Sequence, residues 1–295
     1  MPTTTRIQAY EGRYALVDGI PYHLPVYARN SPALMAGFPI DATRAAALLP
    51  GNELHPVTLW DGRGLLLVTV INYLITSIGR YIEFSIAIAC THGPRPAPPL
   101  LPGMLIKRFG TGQFILDLPV STEVSVKGGK GIWGMPKHQA NLAYHITDTE
   151  VISHYEKDGQ FAVRIEIDKP KKIVVPVNVG ATNYCQFRNM LMASNIYFRG
   201  RAGIGLLHRA NARLYVGDHP NVAALKTLDI DPQALFTLFI PAANGVLDDY
   251  FQCWFLTYDT PPATMPEGLE SVVDLGRSET WLAPPREEDY AHYQI

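Results

Sequence analysis

The sequence predicts an α+β fold that is mostly β, arranged as an antiparallel barrel or sandwich with a few peripheral helices. The first observation is the frequency of chain breakers. The chain has 24 glycines and 24 prolines in 295 residues, on average about one in every six, which leaves little room for long helices. The second is a series of short segments in which apolar and polar residues alternate, the pattern of strands with one buried face. Regular short strands of this kind suggest an antiparallel barrel or sandwich.

The clearest strand pattern is the segment 81–88. Its four even-numbered residues are apolar and share one face, whereas Tyr81, Glu83 and Ser85 share the other. The uncharged, β-branched stretch 64–79 is expected to form a buried strand with its turn. The other predicted strands, in chain order, are 113–118, 121–127, 139–146, 150–156, 161–167, 172–177, 205–216, 250–258 and 270–275.

Helices are expected at four places. Asp41 can cap a helix over 42–49, which ends at a Pro-Gly pair. A second helix is expected over 183–194, a third from Asp218 to about Leu228, and a fourth after Asp231 and its following proline. Because no internal repeat or linker-like tract interrupts the chain, we expect one domain over residues 1–295.

Composition and charge exclude several classes of partner. The chain is 47% hydrophobic, with 25 basic and 27 acidic residues and a formal net charge of −2, so no basic excess is available to neutralise nucleic acid phosphates. The stretch 64–79 is short for a membrane span, and the residues after Met1 lack the apolar core of a signal peptide. We therefore expect a soluble, cytoplasmic protein with neither a nucleic acid nor a membrane as its partner.

Sequence motifs for metals and cofactors are missing. The nine histidines form no His-x-His or His-x-x-x-His pair, and the three cysteines (Cys90, Cys185 and Cys253) are widely spaced. No glycine-rich dinucleotide motif lies between a strand and a helix, and no phosphate-binding Gly-Lys-Ser/Thr occurs. Neither a metal site nor a nucleotide cofactor is expected.

The most informative segment is 127–138, which reads Lys-Gly-Gly-Lys-Gly-Ile-Trp-Gly-Met-Pro-Lys-His. If it is extended, Trp133, Met135 and Lys137 point to one side and Lys137 has two large apolar neighbours. Desolvation disfavours an ammonium group, so such surroundings favour the neutral, nucleophilic amine. Since lysines are almost always solvated, the segment by itself also fits an ordinary surface lysine.

The stretch Ile132–Lys137 resembles the Gly-aromatic-Pro-Lys signature of the acetoacetate decarboxylase family, which surrounds a Schiff-base lysine. Three upstream elements occur in the family's order and at similar separations: Phe-Pro-Ile-Asp at 38–41, Leu-Leu-Pro-Gly at 48–51 and Arg-Tyr-Ile-Glu at 80–83. The resemblance covers roughly residues 20–145 well. It implies a cone-like antiparallel β-barrel that encloses the site and assembles into a homo-oligomer.

The resemblance also implies roles for single residues. Lys137 matches the Schiff-base lysine, and Glu83 matches an active-site glutamate. The family carries a second lysine directly after the first, where this chain has His138, and a second glutamate where this chain has Val-Thr-Val at 68–70. Arg29 is the candidate for the family's N-terminal arginine. These departures leave open which reaction follows imine formation.

The implied function is a Schiff-base-forming carbon–carbon lyase that acts on a keto acid. Decarboxylation is the family default, an aldolase, retro-aldolase or dehydratase using the same lysine imine is the alternative, and a non-catalytic barrel that binds a small acid is a further one. No external cofactor is needed because the imine itself is the electron sink. The expected catalytic residues are Lys137, Glu83 and, as a general acid on a late strand, Tyr258. The expected substrate-binding residues are Trp133, Met135, His138, Tyr81 and Arg29.

Overall fold

The computed structural model describes residues 12–187 and 189–260. Its helices are short: α1 is Ala42–Ala47, α2 is Leu101–Met104 and α3 is Glu123–Trp133, and 3₁₀ helices cover Leu207–Arg209 and Pro220–Thr227. The strands, numbered in chain order, are β1 Arg13–Val17, β2 Ile20–Leu24, β3 Val26–Ile40, β4 Leu54–Pro56, β5 Gly64–Tyr73, β6 Ile75–Thr76, β7 Tyr81–His92, β8 Gly112–Val120, β9 Lys137–Gln139, β10 Asn141–Ile146, β11 Glu150–Lys157, β12 Gln160–Asp168, β13 Val175–Phe187, β14 Met190–Leu206, β15 Ala212–Val216 and β16 Phe236–Phe255.

Seven strands close into a barrel, which confirms the predicted mostly β, α+β barrel class. Around the barrel the order is β7, β5, β3, β16, β14, β13 and β8, and pairing of β8 with β7 closes the ring. Each of these pairings is antiparallel except that between β8 and β13. The short strand β9 is added parallel to β8, with Lys137 opposite Leu118. Lys137 therefore lies in the barrel wall, on a short strand that pairs with β8.

A second, four-stranded antiparallel sheet, in the order β10, β11, β12 and β15, covers part of the barrel's outer surface. One hydrophobic cluster joins its side chains to those of β3, β5 and β7, as in the contact of Phe84 with Tyr155, whose ring centroids are 5.9 Å apart. The apolar face of β7 thus packs in this core between the sheets. The opposite face, with Tyr81, Glu83 and Ser85, lines the barrel interior. Alternation in the sequence correctly separates these two faces.

The segment 121–127 is not a strand. The extended conformation considered for 127–138 is wrong for 127–133, which are helical, and is found only at Lys137 and His138 in β9. Helix α3 begins after Thr122, whose hydroxyl accepts a hydrogen bond from the Ser125 amide, and it ends at Gly134 in the left-handed conformation. Its buried positions 125, 126, 128, 129 and 133 have helical spacing. Alternating valines and polar residues at 120–126 favour a strand locally, but capping and burial of one helical face override that preference.

Several other predicted elements differ. Residues 183–194 belong to the β13–β14 hairpin instead of a helix, because long cross-strand pairing overrides the helix propensity of their leucine, methionines and alanine. The region after Asp231 is a turn in which the Asp231 side chain accepts from the Gln233 amide. The third predicted helix is a 3₁₀ helix, and the predicted strand 205–216 is interrupted by another. The predicted strand 270–275 lies outside the described residues.

The helix over 42–49 is confirmed in shorter form, since α1 ends at Ala47 and Asp41 caps it through the Arg44 amide. The three cysteines form no disulfide, and Cys90 and Cys185 are buried. Among the helices of the described residues, none has the length and apolar character needed to cross a membrane.

Candidate active site

The barrel encloses a cavity of about 250 Å³ to which all seven barrel strands contribute. Most of its wall is apolar, formed by residues such as Ile71, Ile115, Leu118, Val177, Phe198 and Leu247. Lys137 and Glu83 are the two charged residues among the described residues that line it. A small number of polar groups in an otherwise apolar cavity is the usual composition of a small-molecule site.

Lys137 lies in this cavity with its amine held by two oxygen atoms. Its side chain is 4% exposed, and Nζ lies 2.7 Å from Glu83 Oε2. Nζ also donates to Ser125 Oγ at 3.0 Å and lies 5.5 Å from the centre of the Tyr81 ring. A buried charge is tolerated when it is paired and hydrogen-bonded, so Glu83 and Ser125 compensate the desolvation of this lysine.

Two tyrosines surround the carboxylate of Glu83. The Tyr73 hydroxyl donates to Glu83 Oε1 at 3.5 Å, and its ring stacks on Tyr81 with centroids 4.6 Å apart. Burial, followed by the negative charge of Glu83, raises the pKa of Tyr73 and of Tyr81 well above the usual value for a phenol. Hydrogen bonds of Tyr81 with Ser125 and Tyr73 partly oppose this shift of its pKa. Both phenols consequently keep their protons at neutral pH.

Helix α3 shapes the space in which Lys137 lies. Ser125 and Gly129 are four residues apart and therefore share one helical face, which is turned towards Lys137. A β-carbon on Gly129 would meet the aliphatic part of Lys137, and one on Gly128 would meet the Tyr22 ring. The paired glycines thus permit the helix to approach both side chains, an arrangement that side chains at these positions would block.

Met135 and Tyr81 line the cavity with Lys137, as the sequence predicts. Trp133 does not line the cavity. It ends helix α3, is buried in the hydrophobic cluster that also contains Met135, and donates from Nε1 to the backbone carbonyl of Asp248 at 2.9 Å. The expectation that Trp133 and Lys137 share one side of an extended chain is wrong, because Trp133 is the last residue of α3 and Lys137 is the first residue of β9.

Three other predicted site residues lie elsewhere. His138 follows Lys137 on β9 and points to the other side of the wall, where it pairs with Asp117. Arg29 is exposed on β3, next to Ala28, which does line the cavity. Tyr258 follows β16 and packs against the core between the sheets, away from the cavity lining. The structure therefore brings Lys137, Glu83, Tyr81 and Met135 together and separates the rest.

Sequence reasoning missed Ser125, Tyr73 and Gly129. Tyr73 could have been found, since it alternates with Ile71 and Thr69 on the cavity face of a strand that was predicted. Thr69 lies within the Val-Thr-Val segment where the resemblance places a second glutamate, and it also lines the cavity. Ser125 and Gly129 can be recognised as site residues only from the helical conformation of their segment, which the sequence did not predict.

The arrangement has the parts needed for chemistry at a carbonyl. An amine attacks a carbonyl carbon in its neutral form, and a carboxylate 2.7 Å away is within reach to take its proton. The protonated phenol of Tyr81 can donate to an oxygen atom that gains negative charge. Within the described part of the chain, no cluster of three or more histidine, cysteine or acidic side chains has metal-binding geometry.

Comparisons with known proteins agree with this picture of the fold. The family model described as acetoacetate decarboxylase (ADC) matches residues 12–190. A search of curated protein sequences found no significant match. A solved acetoacetate decarboxylase from Legionella pneumophila subsp. pneumophila str. Philadelphia 1 superposes with a TM-score of 0.58 at 13% identity, covering 86% of this chain and 92% of that one.

Two further solved structures are similar in fold. The enduracididine biosynthesis enzyme MppR, in complex with the condensation product of pyruvate and imidazole 4-carboxaldehyde, gives a TM-score of 0.55 at 14% identity, covering 78% of this chain and 89% of that one. An acetoacetate decarboxylase-like enzyme from Sphingomonas wittichii RW1 gives 0.51 at 14% identity, covering 79% and 94%. At sequence identities this low, the similarity to these structures is evidence for a shared fold.

Proposed function

This chain belongs to the acetoacetate decarboxylase family, and on that premise we propose that it is a Schiff-base-forming carbon–carbon lyase acting on a keto acid, foremost as a decarboxylase. The observation that carries the proposal is the contact of Lys137 Nζ with Glu83 Oε2 at 2.7 Å inside an apolar cavity. A structural ion pair has no need of a cavity beside it, whereas an imine-forming lysine must have room for its substrate.

In the proposed mechanism Glu83 accepts a proton from the Lys137 ammonium, and the neutral amine attacks the keto carbon. Loss of water leaves a protonated imine. In a 3-oxo acid such as acetoacetate the carboxylate is on the carbon next to the imine carbon, so the electron pair of the breaking carbon–carbon bond moves into the imine. Carbon dioxide departs and an enamine remains. Protonation of the enamine carbon and hydrolysis of the imine release the product ketone and restore Lys137.

The walls of the cavity support decarboxylation in particular. Among the described residues, Lys137 is the one cationic side chain in the lining, and it is the group that becomes the imine. A substrate carboxylate bound there has no second cation as its partner and lies among apolar side chains. Apolar side chains solvate this negative charge poorly, and loss of carbon dioxide removes it. The apolar wall therefore favours decarboxylation of the bound acid.

An aldolase, retro-aldolase or dehydratase using the same imine is the second candidate. It is favoured by Thr69, which lies in the cavity wall in the segment where family decarboxylases have a second glutamate. The cavity also extends along β8 from Leu118 to Gln113, a distance of about 16 Å at the rise of an extended strand. That length leaves space for a second carbonyl compound beside the imine.

The experiment is reductive trapping with cyanoborohydride. The protein is incubated with acetoacetate, pyruvate or a longer 2-oxo acid, and the adduct is located by peptide mass spectrometry. We expect the adduct on Lys137, none in Lys137→Ala, and an unchanged yield in Lys171→Ala, which removes an exposed lysine. Release of carbon dioxide without an added aldehyde separates the decarboxylase from the aldolase. Absence of any adduct on Lys137 with the whole panel would favour the non-catalytic acid-binding barrel.

A further inference from the structure

Two hydroxyl side chains lie side by side in the wall of the barrel cavity. Thr69 of β5 and Ser85 of β7 are directly opposite each other in the antiparallel pairing, and both line the cavity. The β-carbons of two residues paired in this way lie about 4.5–5.5 Å apart. We call these two residues the hydroxyl pair. The mechanism proposed above uses neither of them.

The protein itself does not satisfy these hydroxyls. Thr69 Oγ1 is buried and has no hydrogen-bond partner in the described part of the chain. Ser85 is 7% exposed, and its side chain makes no hydrogen bond with another described residue. A buried hydroxyl without a partner lowers the stability of the folded state, and an apolar side chain of similar size would avoid that cost. Folding by itself therefore does not account for the hydroxyl pair.

The neighbours of the hydroxyl pair around the barrel are apolar. The row of cross-strand partners continues from Thr69 to Met35 on β3 and Leu238 on β16, which also line the cavity. An ionised group held only by such side chains and two hydroxyls would be poorly solvated. A neutral hydroxyl group is a better partner, because it can donate to one member of the pair and accept from the other.

The hydroxyl pair is close to the Lys137 amine. Ser85 comes two residues after Glu83 on the same face of β7, which places their Cα atoms about 7 Å apart. Glu83 Oε2 is in turn 2.7 Å from Lys137 Nζ. The register of β7 on β8 also places Ser85 level with Leu118, the residue opposite Lys137. A substrate whose keto carbon bonds to Nζ can therefore reach the hydroxyl pair with an oxygen atom about two carbons further along its chain, given this spacing.

We infer that the hydroxyl pair makes the site specific for keto acids that carry a hydroxyl group, about two carbons from the keto carbon. Such a group would satisfy both side chains. Two χ1 rotamers are common in strands, so Thr69 can turn Oγ1 towards a bound ligand. The position of the hydroxyl along the substrate rests on the proposed function, since it is counted from the imine at Lys137. Recognition of the hydroxyl by Thr69 and Ser85 does not require the imine.

The test measures binding of acids that cannot form an imine. The probes are hexanoate, 3-hydroxyhexanoate and 6-hydroxyhexanoate, whose carboxylate takes the place of the keto carbon beside Lys137. In isothermal titration calorimetry with the parent, the Kd of 3-hydroxyhexanoate should be about tenfold lower than that of hexanoate, the gain expected from one or two added hydrogen bonds. The 6-hydroxy isomer carries its hydroxyl too far along the chain and should show no such gain.

Two variants remove the hydroxyls one at a time. Thr69→Val keeps the shape of the side chain, and Ser85→Ala makes the corresponding change on the neighbouring strand. Each should abolish the preference for 3-hydroxyhexanoate over hexanoate. Thr91→Val, at a buried threonine of β7 outside the cavity lining, is the matched control and should keep the preference. Thr69→Val should also raise the melting temperature without ligand, because it removes a buried hydroxyl that has no partner.

Several results would overturn the inference. The parent could bind 3-hydroxyhexanoate no more tightly than hexanoate, or bind neither acid, or the preference could survive in both variants. An equal loss of affinity for both acids in Thr69→Val would show that the pair holds the carboxylate instead. A lower melting temperature of Thr69→Val would show that its hydroxyl has a partner in the folded protein. Failure of reductive trapping at Lys137 would contradict the proposed function but leave these binding results standing.

Discussion

Gly129 lies against Lys137 so closely that a β-carbon on the glycine would be 2.3 Å from Cδ of the lysine and 2.8 Å from Cε. Non-bonded carbon atoms cannot approach each other this closely. The lysine side chain passes over the helix at a position where the helix has no side chain. Helix α3 therefore directs the amine towards Glu83 by steric means as well as through Ser125.

Gly129→Ala should displace the Lys137 side chain and slow imine formation by about 100-fold, the order of loss that a shift of 1 Å causes in a positioned group. Alanine favours a helix over glycine, so the fold itself should survive. The rate of cyanoborohydride trapping measures the effect, with far-ultraviolet circular dichroism as the check on folding. Gly103→Ala, where an added β-carbon meets open space, is the matched control, and equal rates in both variants would contradict the steric role.

Lys137 and Glu83 should be strongly coupled in stability. Removing one partner of a buried ion pair leaves an uncompensated charge and typically costs about 3–5 kcal/mol. Both Lys137→Met and Glu83→Gln should therefore lower the free energy of unfolding, with the larger loss in Lys137→Met, which leaves a carboxylate without its cation. The double variant should lose clearly less than the sum of the two. Urea denaturation of all four proteins measures this, and strictly additive losses would show that the pair is solvated.

Glu83→Gln should slow imine formation at Lys137 and turnover with it. The amide keeps the shape of the side chain but cannot take a proton, and a positioned acid or base typically contributes about 10²–10⁴-fold. We expect kcat and the rate of cyanoborohydride trapping to fall together by about that factor, while Lys137 remains the residue that is labelled. Glu156→Gln, at a more exposed glutamate of β11, is the control. An unchanged kcat in Glu83→Gln would assign the residue a purely structural role.

Tyr144→Phe should stabilise the protein. Its hydroxyl is buried without a hydrogen-bond partner in the described part of the chain, and such a group costs about 1–3 kcal/mol. Burial raises the pKa of Tyr144 well above its usual value. Above about pH 10 the unfolded phenol loses its proton while the folded one keeps it, so the parent loses stability there and the gain of the variant widens.

Urea denaturation of Tyr144→Phe at pH 7 and near pH 11 measures both effects. Tyr215→Phe, at an exposed tyrosine, should change the free energy of unfolding very little at either pH. A variant no more stable than the parent at pH 7 would indicate that the Tyr144 hydroxyl is hydrogen-bonded in solution.

The sequence predicted strands at the places of β5, β7 and β8 in the barrel, whereas it predicted none at β3 and only short parts of β13, β14 and β16. The alternation over 81–88 separated Glu83 from the apolar face that packs in the core, and β7 has this arrangement. Alternation shows which residues share a face, because side chains of an extended strand point alternately to opposite sides. It cannot show what covers a face. The polar face of β7 could equally have met solvent, and closure of the barrel through β8 decided that it lines a cavity.

Local pattern was misleading where tertiary packing decided the conformation. Alternating valines at 120–126 predicted a strand, but Thr122 caps a helix whose paired glycines fit against Tyr22 and Lys137. The hairpin of β13 and β14 contains good helix formers, yet its residues pair with neighbouring strands over their whole length. In both cases the interactions that determine the structure come from residues distant in sequence, which a local window does not contain.

The sequence by itself determined which residue is the nucleophile candidate, because the Pro-Lys segment and the Tyr-x-Glu element are local patterns that need no fold to be read. The tertiary structure decided which groups Lys137 and His138 each contact. As adjacent residues of strand β9 they must point to opposite sides of the barrel wall. Lys137 therefore meets Glu83 inside the barrel, and His138 meets Asp117 and Lys157 on the other side of the wall. These partners come from separate strands, and only the assembled sheets place them on the two sides of β9.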